Sequence, residues 1–308
     1  MCGLFGFLRY GKNIKNLSCL TNSLAEQAAI RGTDATGIAF CEGGKLCIHK
    51  DGKSAYELNF KHSDSVCTLI GHTRHSTQGS EKKNCNNHPF PGKVGGLDFA
   101  LAHNGVLMND DELRKSLNLP KTKIETDSYV AVQLIMSKKK LDFDAIKFMA
   151  EKVQGNFSFA IIDGEENLHL VKGESPLHIL HFPKSEIYVF ASTEAILFKA
   201  LVDTSLFPEL KKGEYDEIPI YEGDILKISP DGIIEKSRFN YSYSFAKGWW
   251  EYGEMYFPKI ENEVYTDQDY IDELKYIAAY QGVDLEEIDE LLAGGFTLDE
   301  LEDYVYGA

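Results

Sequence analysis

A cysteine at the second position of the chain is the residue best suited to chemistry. Cys2 follows only Met1. If Met1 is removed, Cys2 carries both a free thiol and a free α-amine, so one residue supplies a nucleophile and a general base. A thiol has an ordinary pKa of about 8.5 and an α-amine one of about 7.7–8.0, so both groups titrate near neutral pH. A second-position cysteine is commonly incidental, and its meaning depends on motifs elsewhere in the chain.

Four further motifs carry polar side chains suited to binding or catalysis. They are RGTDATG at 31–37, GHTRHSTQG at 71–79 after a strand pattern, HNG at 103–105 at a predicted strand end, and ETD at 125–127 opening a helix pattern. Each alone has an ordinary structural explanation: an ion pair, a turn or a helix cap. Together with the opening MCGLFG, their types and order become specific.

Composition and charge limit the class of protein. The chain has 308 residues, 43% of them apolar, which is enough for a large core. No apolar run approaches the roughly 20 residues that span a bilayer, and no leader pattern is visible. The six cysteines form no C-x-x-C pair, which is typical of a reducing compartment. We therefore expect a cytoplasmic protein that does not contact a membrane.

The charge is concentrated at the C-terminal end. Residues 261–308 hold 15 acidic residues against one lysine, so they carry −14 of the total −16 and leave −2 for residues 1–260. Nucleic-acid affinity depends on clustered lysine and arginine. The sequence therefore predicts no nucleic-acid partner.

Residues 2–237 alternate strand and helix patterns and form the predicted first domain. Strands are predicted at 66–72, 97–103, 157–163, 168–172, 177–182, 187–191 and 225–228. Helices are predicted at 17–30, 127–136, 143–153 and 193–201, with N-caps at Asp127, Asp142 and Thr193. The turn at 164–167 predicts an antiparallel hairpin. Hairpins mixed with helices predict an α+β fold rather than a doubly wound parallel sheet.

Two segments follow this domain. Residues 238–260 are rich in aromatic side chains and are predicted to form a strap packed against the first domain, with an exposed partner surface as the alternative. Residues 261–308 are an acidic tail with a helix pattern at 267–280 and two short repeats, each opening with a capping box, at Asp284 and Thr297. Helices this short must pack on something. The tail is therefore either an appendage of its own chain or a docking module for another protein.

The motifs together resemble those of the class II glutamine amidotransferases, members of the N-terminal-nucleophile hydrolases. The resemblance covers roughly residues 2–230 and includes shorter matches at 87–89, 154–155, 173–176, 191–194 and 222–224. It implies a four-layer αββα sandwich with mostly antiparallel sheets. It also implies hydrolysis of the side-chain amide of L-glutamine to glutamate and ammonia, without cofactor or metal.

The resemblance assigns catalytic roles to three residues. Cys2 would attack the amide carbon, while its own α-amine takes the thiol proton and later protonates the departing ammonia. The side-chain amide of Asn104 and the backbone N–H of Gly105 would stabilise the oxyanion.

It also assigns residues that recognise glutamine or support the site. Arg74 would pair with the α-carboxylate through its planar fork, a geometry that lysine cannot reproduce. Thr77 could add a hydroxyl contact to the carboxylate, and Asp127 would pair with the α-ammonium. Arg31 is expected to brace the N-terminal strand, and His103 to support the site.

Some positions leave alternatives open. His75 stands where many family members carry an aromatic residue, and Gln78 where many carry histidine or a small residue. Both lie in the loop that closes over glutamine in the family, so another N-acyl or γ-glutamyl amide is an alternative substrate.

His72, His75, Cys85 and His88 also mimic a zinc ligand set. That interpretation is disfavoured because the family pattern already explains His72 and His88.

The use of the ammonia is not evident from the motifs. Residues 238–308 contain neither an SGGxDS-type adenylating loop nor a P-loop, and they are too few for a sugar-phosphate isomerase. The leading hypothesis is a stand-alone glutaminase that supplies ammonia to a separate synthase subunit. A non-catalytic glutamine-binding or regulatory protein is disfavoured, because every predicted catalytic role is filled.

Overall fold

The computed structural model describes residues 2–11 and 14–241, and in the tail residues 271, 274, 275, 285–298, 300, 301 and 304. The chain divides into two compact units, Met1–Tyr252 and Gly253–Ala308. No helix among the described residues is long and apolar enough to cross a bilayer.

The first unit contains two antiparallel sheets. The strands are β1 (Gly3–Arg9), β2 (Ala35–Glu42), β3 (Lys45–Asp51), β4 (Thr68–Arg74), β5 (Phe90–Val94), β6 (Leu97–Leu107), β7 (Gly155–Asp163), β8 (Leu168–Lys172), β9 (His178–Phe182), β10 (Ile187–Ala191), β11 (Asp216–Glu217), β12 (Asp224–Ile228) and β13 (Ile234–Arg238). One sheet has seven strands in the order β11-β9-β10-β1-β4-β2-β3, and the other has six in the order β13-β12-β8-β7-β6-β5.

Helices flank both sheets. They are α1 (Leu17–Ala28), α2 (Asp110–Ser116), α3 (Tyr129–Ser137), α4 (Phe143–Lys152), α5 (Glu194–Leu201) and α6 (Phe207–Lys212), with short 3-10 turns at Ala29–Arg31, Ala55–Glu57 and Asn84–Asn86. Apolar residues of α1 and α5 pack on the seven-stranded sheet, and those of α3 and α4 on the six-stranded sheet.

The alternation of side chains along the strands lets each sheet pack on both of its faces. In β1, Phe5 and Phe7 face the helices, whereas Leu4 and Leu8 face the second sheet, because successive side chains of a strand point to opposite faces. Both faces are therefore apolar, as expected for a strand buried on both sides. The predicted α+β fold, a four-layer αββα sandwich, is confirmed.

The strand predictions differ from the structure in informative ways. The hairpin of β7 and β8 around 164–167 is confirmed, with its register given by Ser158 opposite Lys172. The prediction missed β1, β2, β3, β5, β11 and β13. It also ended β6 at 103, whereas that strand continues to Leu107. The HNG motif therefore lies inside a strand and not at its end, so its successive side chains face opposite sides.

The predicted N-caps have mixed outcomes. Asp142 accepts a hydrogen bond from the backbone N–H of Ala145, and Thr193 accepts one from that of Ile196, so both are confirmed. Asp127 does not cap a helix, because α3 begins at Tyr129 and the carboxylate of Asp127 is bonded elsewhere.

The segment that follows β13 begins against the core. Phe239 is buried and Tyr241 packs on the same apolar cluster as α3 and α4. The rest of the predicted strap, residues 242–260, lies outside the described residues.

The second unit has a small apolar core of its own. Helix α7 (Leu285–Ala293) contributes Ile288, which packs with Leu274 and Leu301. The capping box at Thr297 is confirmed, since the Thr297 hydroxyl accepts from the Glu300 N–H at 3.3 Å and the Glu300 carboxylate accepts from the Thr297 N–H at 2.9 Å. Asp284 and most of the helix predicted at 267–280 lie outside the described residues.

A buried carboxylate closes the β7–β8 hairpin. Asp163 accepts hydrogen bonds from the backbone N–H groups of Glu165 and Asn167, at 2.9 and 3.0 Å, and lies 3.5 Å from His169 Nε2. Burial alone would raise the pKa of Asp163, but the hydrogen bonds from His169 and Asn167 hold it below its ordinary value of 3.8. Its stabilising contribution is therefore complete above that value and is lost as the pH falls further.

Removing this carboxylate should destabilise the domain. We expect Asp163→Ala to lower the free energy of unfolding by about 3 kcal/mol, because several buried donors lose a charged acceptor. Asp98→Ala is the control, since Asp98 forms an exposed ion pair with Lys93 that should contribute less than about 1 kcal/mol. Denaturant titrations should show the same loss at pH 7 and pH 5 and a smaller one below pH ~4. An equal loss at every pH would contradict the carboxylate's role.

Candidate active site

One small pocket collects most of the predicted site residues. The antiparallel register of β1 and β4 pairs Gly3 with Thr73, which places Cys2 beside the end of β4. The ETD motif comes from the segment preceding α3. The pocket is lined by Cys2, Arg74, His75, Thr77, Gln78, His88, His103, Gly105, Thr126, Asp127 and Ser128.

The Cys2 thiol lies against the backbone that follows β4. Its Sγ is 3.4 Å from the backbone N of His75 and 3.5 Å from the carbonyl O of the same residue. Burial raises the pKa of this thiol, against the lowering effect of the His75 N–H and the Arg74 charge. At neutral pH the thiol is therefore protonated, and its use as a nucleophile requires a nearby base.

Arg31 holds the backbone of the nucleophile's residue. Its Nε donates to the carbonyl O of Cys2 at 2.9 Å. Arg31 follows α1 in the short 3-10 turn and is not among the residues that line the pocket. This placement gives it a bracing contact at the start of β1.

Arg74 has a buried guanidinium that organises the adjoining loop. One terminal nitrogen donates to Asn87 Oδ1 at 2.7 Å. The other donates to the carbonyl oxygens of Gln78 and Gly79, at 2.7 and 2.6 Å. The carboxylate of Asp34 also holds the loop by accepting from the Ser76 N–H at 2.7 Å. The loop from 75 to 79 is thus tied to the end of β4 by charged groups.

Hydrogen bonds link three other residues that line the pocket, Asp127, Ser128 and His103. The Asp127 carboxylate accepts from the Leu107 N–H at 2.6 Å and from the Ser128 hydroxyl at 3.1 Å. The Ser128 hydroxyl also contacts His103 Nδ1 at 2.8 Å. These bonds orient the carboxylate, and because each oxygen accepts a bond from only one of these two groups, lone pairs remain for a cation.

Asn104 and Gly105 differ in position although they are neighbours. Gly105 lines the pocket and has a φ of +136°. An added Cβ there would lie 2.0 Å from the carbonyl O of Asn156, so only glycine fits. Asn104 is buried and is not among the lining residues, and its Nδ2 lies 3.4 Å from Ser192 Oγ.

Three buried histidines lie beside the site. The rings of His72 and His88 are 4.1 Å apart, and His72 Nε2 contacts the carbonyl O of His103 at 2.9 Å. Burial lowers the pKa of His72 to about 3 and also lowers the pKa of His88 and His103. The three imidazoles are therefore neutral near pH 7.

The alternative zinc set is not assembled. Within the described part of the chain, no group of three or more His, Cys, Asp or Glu side chains is arranged to hold a metal ion. His72 and His88 are near each other because they pack ring to ring.

Sequence reasoning missed several residues of the site. Thr126 and Ser128 line the pocket on either side of Asp127, and Ser192 contacts Asn104. Thr126 lies within the ETD motif, Ser128 directly follows that motif, and Ser192 lies within the matched segment 191–194. No signal in the sequence indicated the function of these three residues individually.

Comparison with known proteins agrees with the geometry. Residues 72–199 match a family model described as a glutamine amidotransferase domain. The glutamine–fructose-6-phosphate aminotransferase (isomerizing) of Fusobacterium nucleatum is 26% identical over 94% of this chain and 49% of its own length. That of Aquifex aeolicus is 32% identical over 76% of this chain and 37% of its own length. The chain thus spans about half or less of the length of these relatives.

Solved structures share the fold. The glutamine phosphoribosylpyrophosphate amidotransferase of B. subtilis aligns over 79% of this chain and 50% of its own, with a TM-score of 0.61 and 24% identity. A structure described as the allosteric regulatory enzyme of purine biosynthesis aligns over 91% of this chain and 58% of its own, with a TM-score of 0.61 and 22% identity. The chain therefore carries a glutamine amidotransferase domain, and it shares its fold with these two solved structures.

Proposed function

We propose that this domain hydrolyses the side-chain amide of L-glutamine to glutamate and ammonia, with Cys2 as the nucleophile after removal of Met1. The observation that carries the proposal is the pocket itself. It places the Cys2 thiol in one cavity with a guanidinium, Arg74, and a carboxylate, Asp127. These are the two charges complementary to the α-carboxylate and α-ammonium of an amino acid.

The chemistry follows from the groups at hand. The freed α-amine of Cys2 takes the thiol proton, and the thiolate attacks the amide carbon of glutamine. The backbone N–H of Gly105 and the side-chain amide of Asn104 donate hydrogen bonds to the oxyanion. Collapse breaks the C–N bond, and the protonated amine gives its proton to the leaving ammonia. Water then hydrolyses the thioester, which releases glutamate and restores the thiol.

The raised pKa of Cys2 supports the need for a base in this scheme. A thiol whose pKa is raised by burial supplies little thiolate at neutral pH. An α-amine with an ordinary pKa of about 7.7–8.0 is unprotonated in roughly 10 to 20% of molecules at pH 7, which is enough for it to act as the base. Among the pocket residues, the buried histidines have lowered pKa values, which makes them weaker bases than the amine.

Recognition of glutamine would use both ends of its backbone. Asp127 is buried and aligned by Leu107 and Ser128, so it can receive an ammonium without moving. The guanidinium of Arg74 donates to the loop carbonyls of Gln78 and Gly79. The α-carboxylate would bind the same guanidinium beside the Thr77 hydroxyl, which makes substrate binding and loop position interdependent.

We also propose that the ammonia passes to a separate synthase subunit. The names of the matched relatives couple glutamine to amination of fructose 6-phosphate, which supports an acceptor for the ammonia. Affinity purification of the tagged protein from its native cells, followed by mass spectrometry, should recover a synthase. Recovery of this chain alone would contradict the proposal.

Exchange of the carboxylate-binding residue tests the substrate. We expect Arg74→Lys to lower kcat/KM for glutamine about 10- to 100-fold, mainly through KM, because lysine cannot replace a forked charged contact. The assay is glutamate release over a range of glutamine concentrations. Arg238→Lys is the control, since the Arg238 side chain is exposed.

A truncated substrate separates glutamine from other amides. 4-Aminobutanamide has the amide and the ammonium of glutamine but no α-carboxylate. We expect it to be a poor substrate whose turnover Arg74→Lys lowers much less than that of glutamine. Equal turnover of both amides, with no effect of Arg74→Lys on either, would favour the alternative N-acyl or γ-glutamyl amide substrate, to which His75 and Gln78 in the pocket wall also point.

A further inference from the structure

A buried serine contacts both the strand that follows the nucleophile and a residue of the other sheet. Ser192 follows β10 and is fully buried. Its backbone N–H donates to the carbonyl O of Leu4 at 2.9 Å, and its Oγ accepts from the Leu4 N–H at 2.8 Å. Leu4 is two residues from Cys2. The main chain of β1 is therefore held by Ser192 next to the nucleophile.

The same hydroxyl reaches across the space between the sheets. Ser192 Oγ lies 3.4 Å from Nδ2 of Asn104, which belongs to β6 of the six-stranded sheet. A side-chain amide has two N–H groups. One directed at Ser192 fixes the plane of the amide and leaves the second free to point at an oxyanion.

We propose that Ser192 is a positioning residue of the oxyanion hole, which it serves by fixing the side-chain amide of Asn104. The inference rests on the proposed function, in which Asn104 stabilises the oxyanion. Oxyanion donors are effective because they are aligned before charge develops. Without Ser192, the side-chain amide of Asn104 would be free to rotate, and aligning it during the reaction would add to the activation barrier.

The length of the contact suits this role. A distance of 3.4 Å is longer than the usual 2.7–3.2 Å of an N–H···O hydrogen bond. Catalytic hydrogen bonds are commonly long without substrate and tighten in the transition state. A hydroxyl already held by the Leu4 N–H is well placed to accept a stronger bond when Asn104 binds negative charge.

A double-mutant cycle tests the inference. We expect Ser192→Ala to lower kcat for glutamine about tenfold and to change KM by less than about twofold, a smaller loss than that of a donor itself. In the Asn104→Ala background, Ser192→Ala should lower kcat by less than about twofold, because the group that Ser192 positions is gone. If the two substitutions instead lowered kcat by independent factors that multiply in the double variant, the inference would be overturned. A wild-type kcat in Ser192→Ala would also overturn it.

Alkylation of Cys2 separates positioning of Asn104 from displacement of β1. Iodoacetamide reacts by displacement at carbon and forms no oxyanion. Cys2 of the Ser192→Ala variant should therefore be alkylated at the wild-type rate, which mass spectrometry of the N-terminal peptide measures. A changed rate would show that the substitution acts through Leu4 and the nucleophile's strand, which would overturn the inference.

Further variants keep the test decisive. Thr68 is a buried residue at the other end of β4 whose hydroxyl donates to the Glu166 carbonyl at 2.7 Å. Thr68→Val should lower Tm without lowering kcat, which controls for a lost buried hydrogen bond. If Ser192→Ala does not fold, Ser192→Cys replaces it, because sulfur keeps the volume but is a weak partner. If Asn104→Ala alone retains full activity, the proposed oxyanion role fails, whatever Ser192 does.

Discussion

Substitution of Cys2 by alanine is expected to reduce glutamate release by about 10⁴-fold or more, the effect of removing a catalytic nucleophile. Cys2→Ser should retain little activity, because a hydroxyl is a poorer nucleophile than a thiol with the same neighbouring base. Glutamine binding, measured by calorimetry, should change little, since Arg74 and Asp127 are untouched. The pocket geometry predicts this separation of binding from turnover.

The control for this experiment is another free thiol. Cys19 is exposed and contacts the Asp203 backbone 3.8 Å away, so Cys19→Ala should retain full activity. A Cys2→Ala variant with more than a few per cent of wild-type turnover would contradict the nucleophile assignment. Intact-mass measurement of the active enzyme should find Met1 removed. Active material that retains Met1 would refute the α-amine as the base.

Asn104→Ala is expected to lower kcat about 10²- to 10³-fold, the usual cost of one oxyanion-hole donor. The KM for glutamine should change little, because the oxyanion forms only after binding. Steady-state kinetics of glutamate release provide both constants. The reduction should be smaller than that of Cys2→Ala, since Gly105 still offers its backbone N–H.

A distant asparagine supplies the matched control for this variant. Asn59 is exposed and accepts from the Asn22 side chain at 3.3 Å, outside the pocket, so Asn59→Ala should have normal kinetics. If Asn104→Ala changed KM rather than kcat, Asn104 would act in substrate binding and not on the transition state.

Local sequence patterns predicted much of the fold. The alternation of apolar residues and the turn at 164–167 predicted the β7–β8 hairpin, and side-chain chemistry at Asp142 and Thr193 predicted two helix starts. These features depend on neighbours in the chain. Strands such as β3 were missed because an edge strand, with its polar, partly exposed residues, has no distinctive local pattern.

The candidate site was predicted unevenly for a related reason. The motifs identified Cys2, Arg74 and Asp127, all of which line one pocket. The sequence pattern also predicted Asp127 to be a helix N-cap. In the structure its carboxylate instead accepts a hydrogen bond from the backbone N–H of Leu107, which belongs to another element. A cap is a local interaction, and the bond that replaced it joins residues 20 positions apart.

The sequence by itself determined which chemical groups are available and, through the resemblance of its motifs, the family that uses them. Only the tertiary structure decided which groups meet: that Arg74 holds its own loop, that the buried Asn104 lies beside Ser192, and that Ser192 contacts both sheets. The physical reason is range. Strand alternation and capping are set within a few residues, whereas these contacts depend on the packing of two sheets whose strands are far apart in the chain.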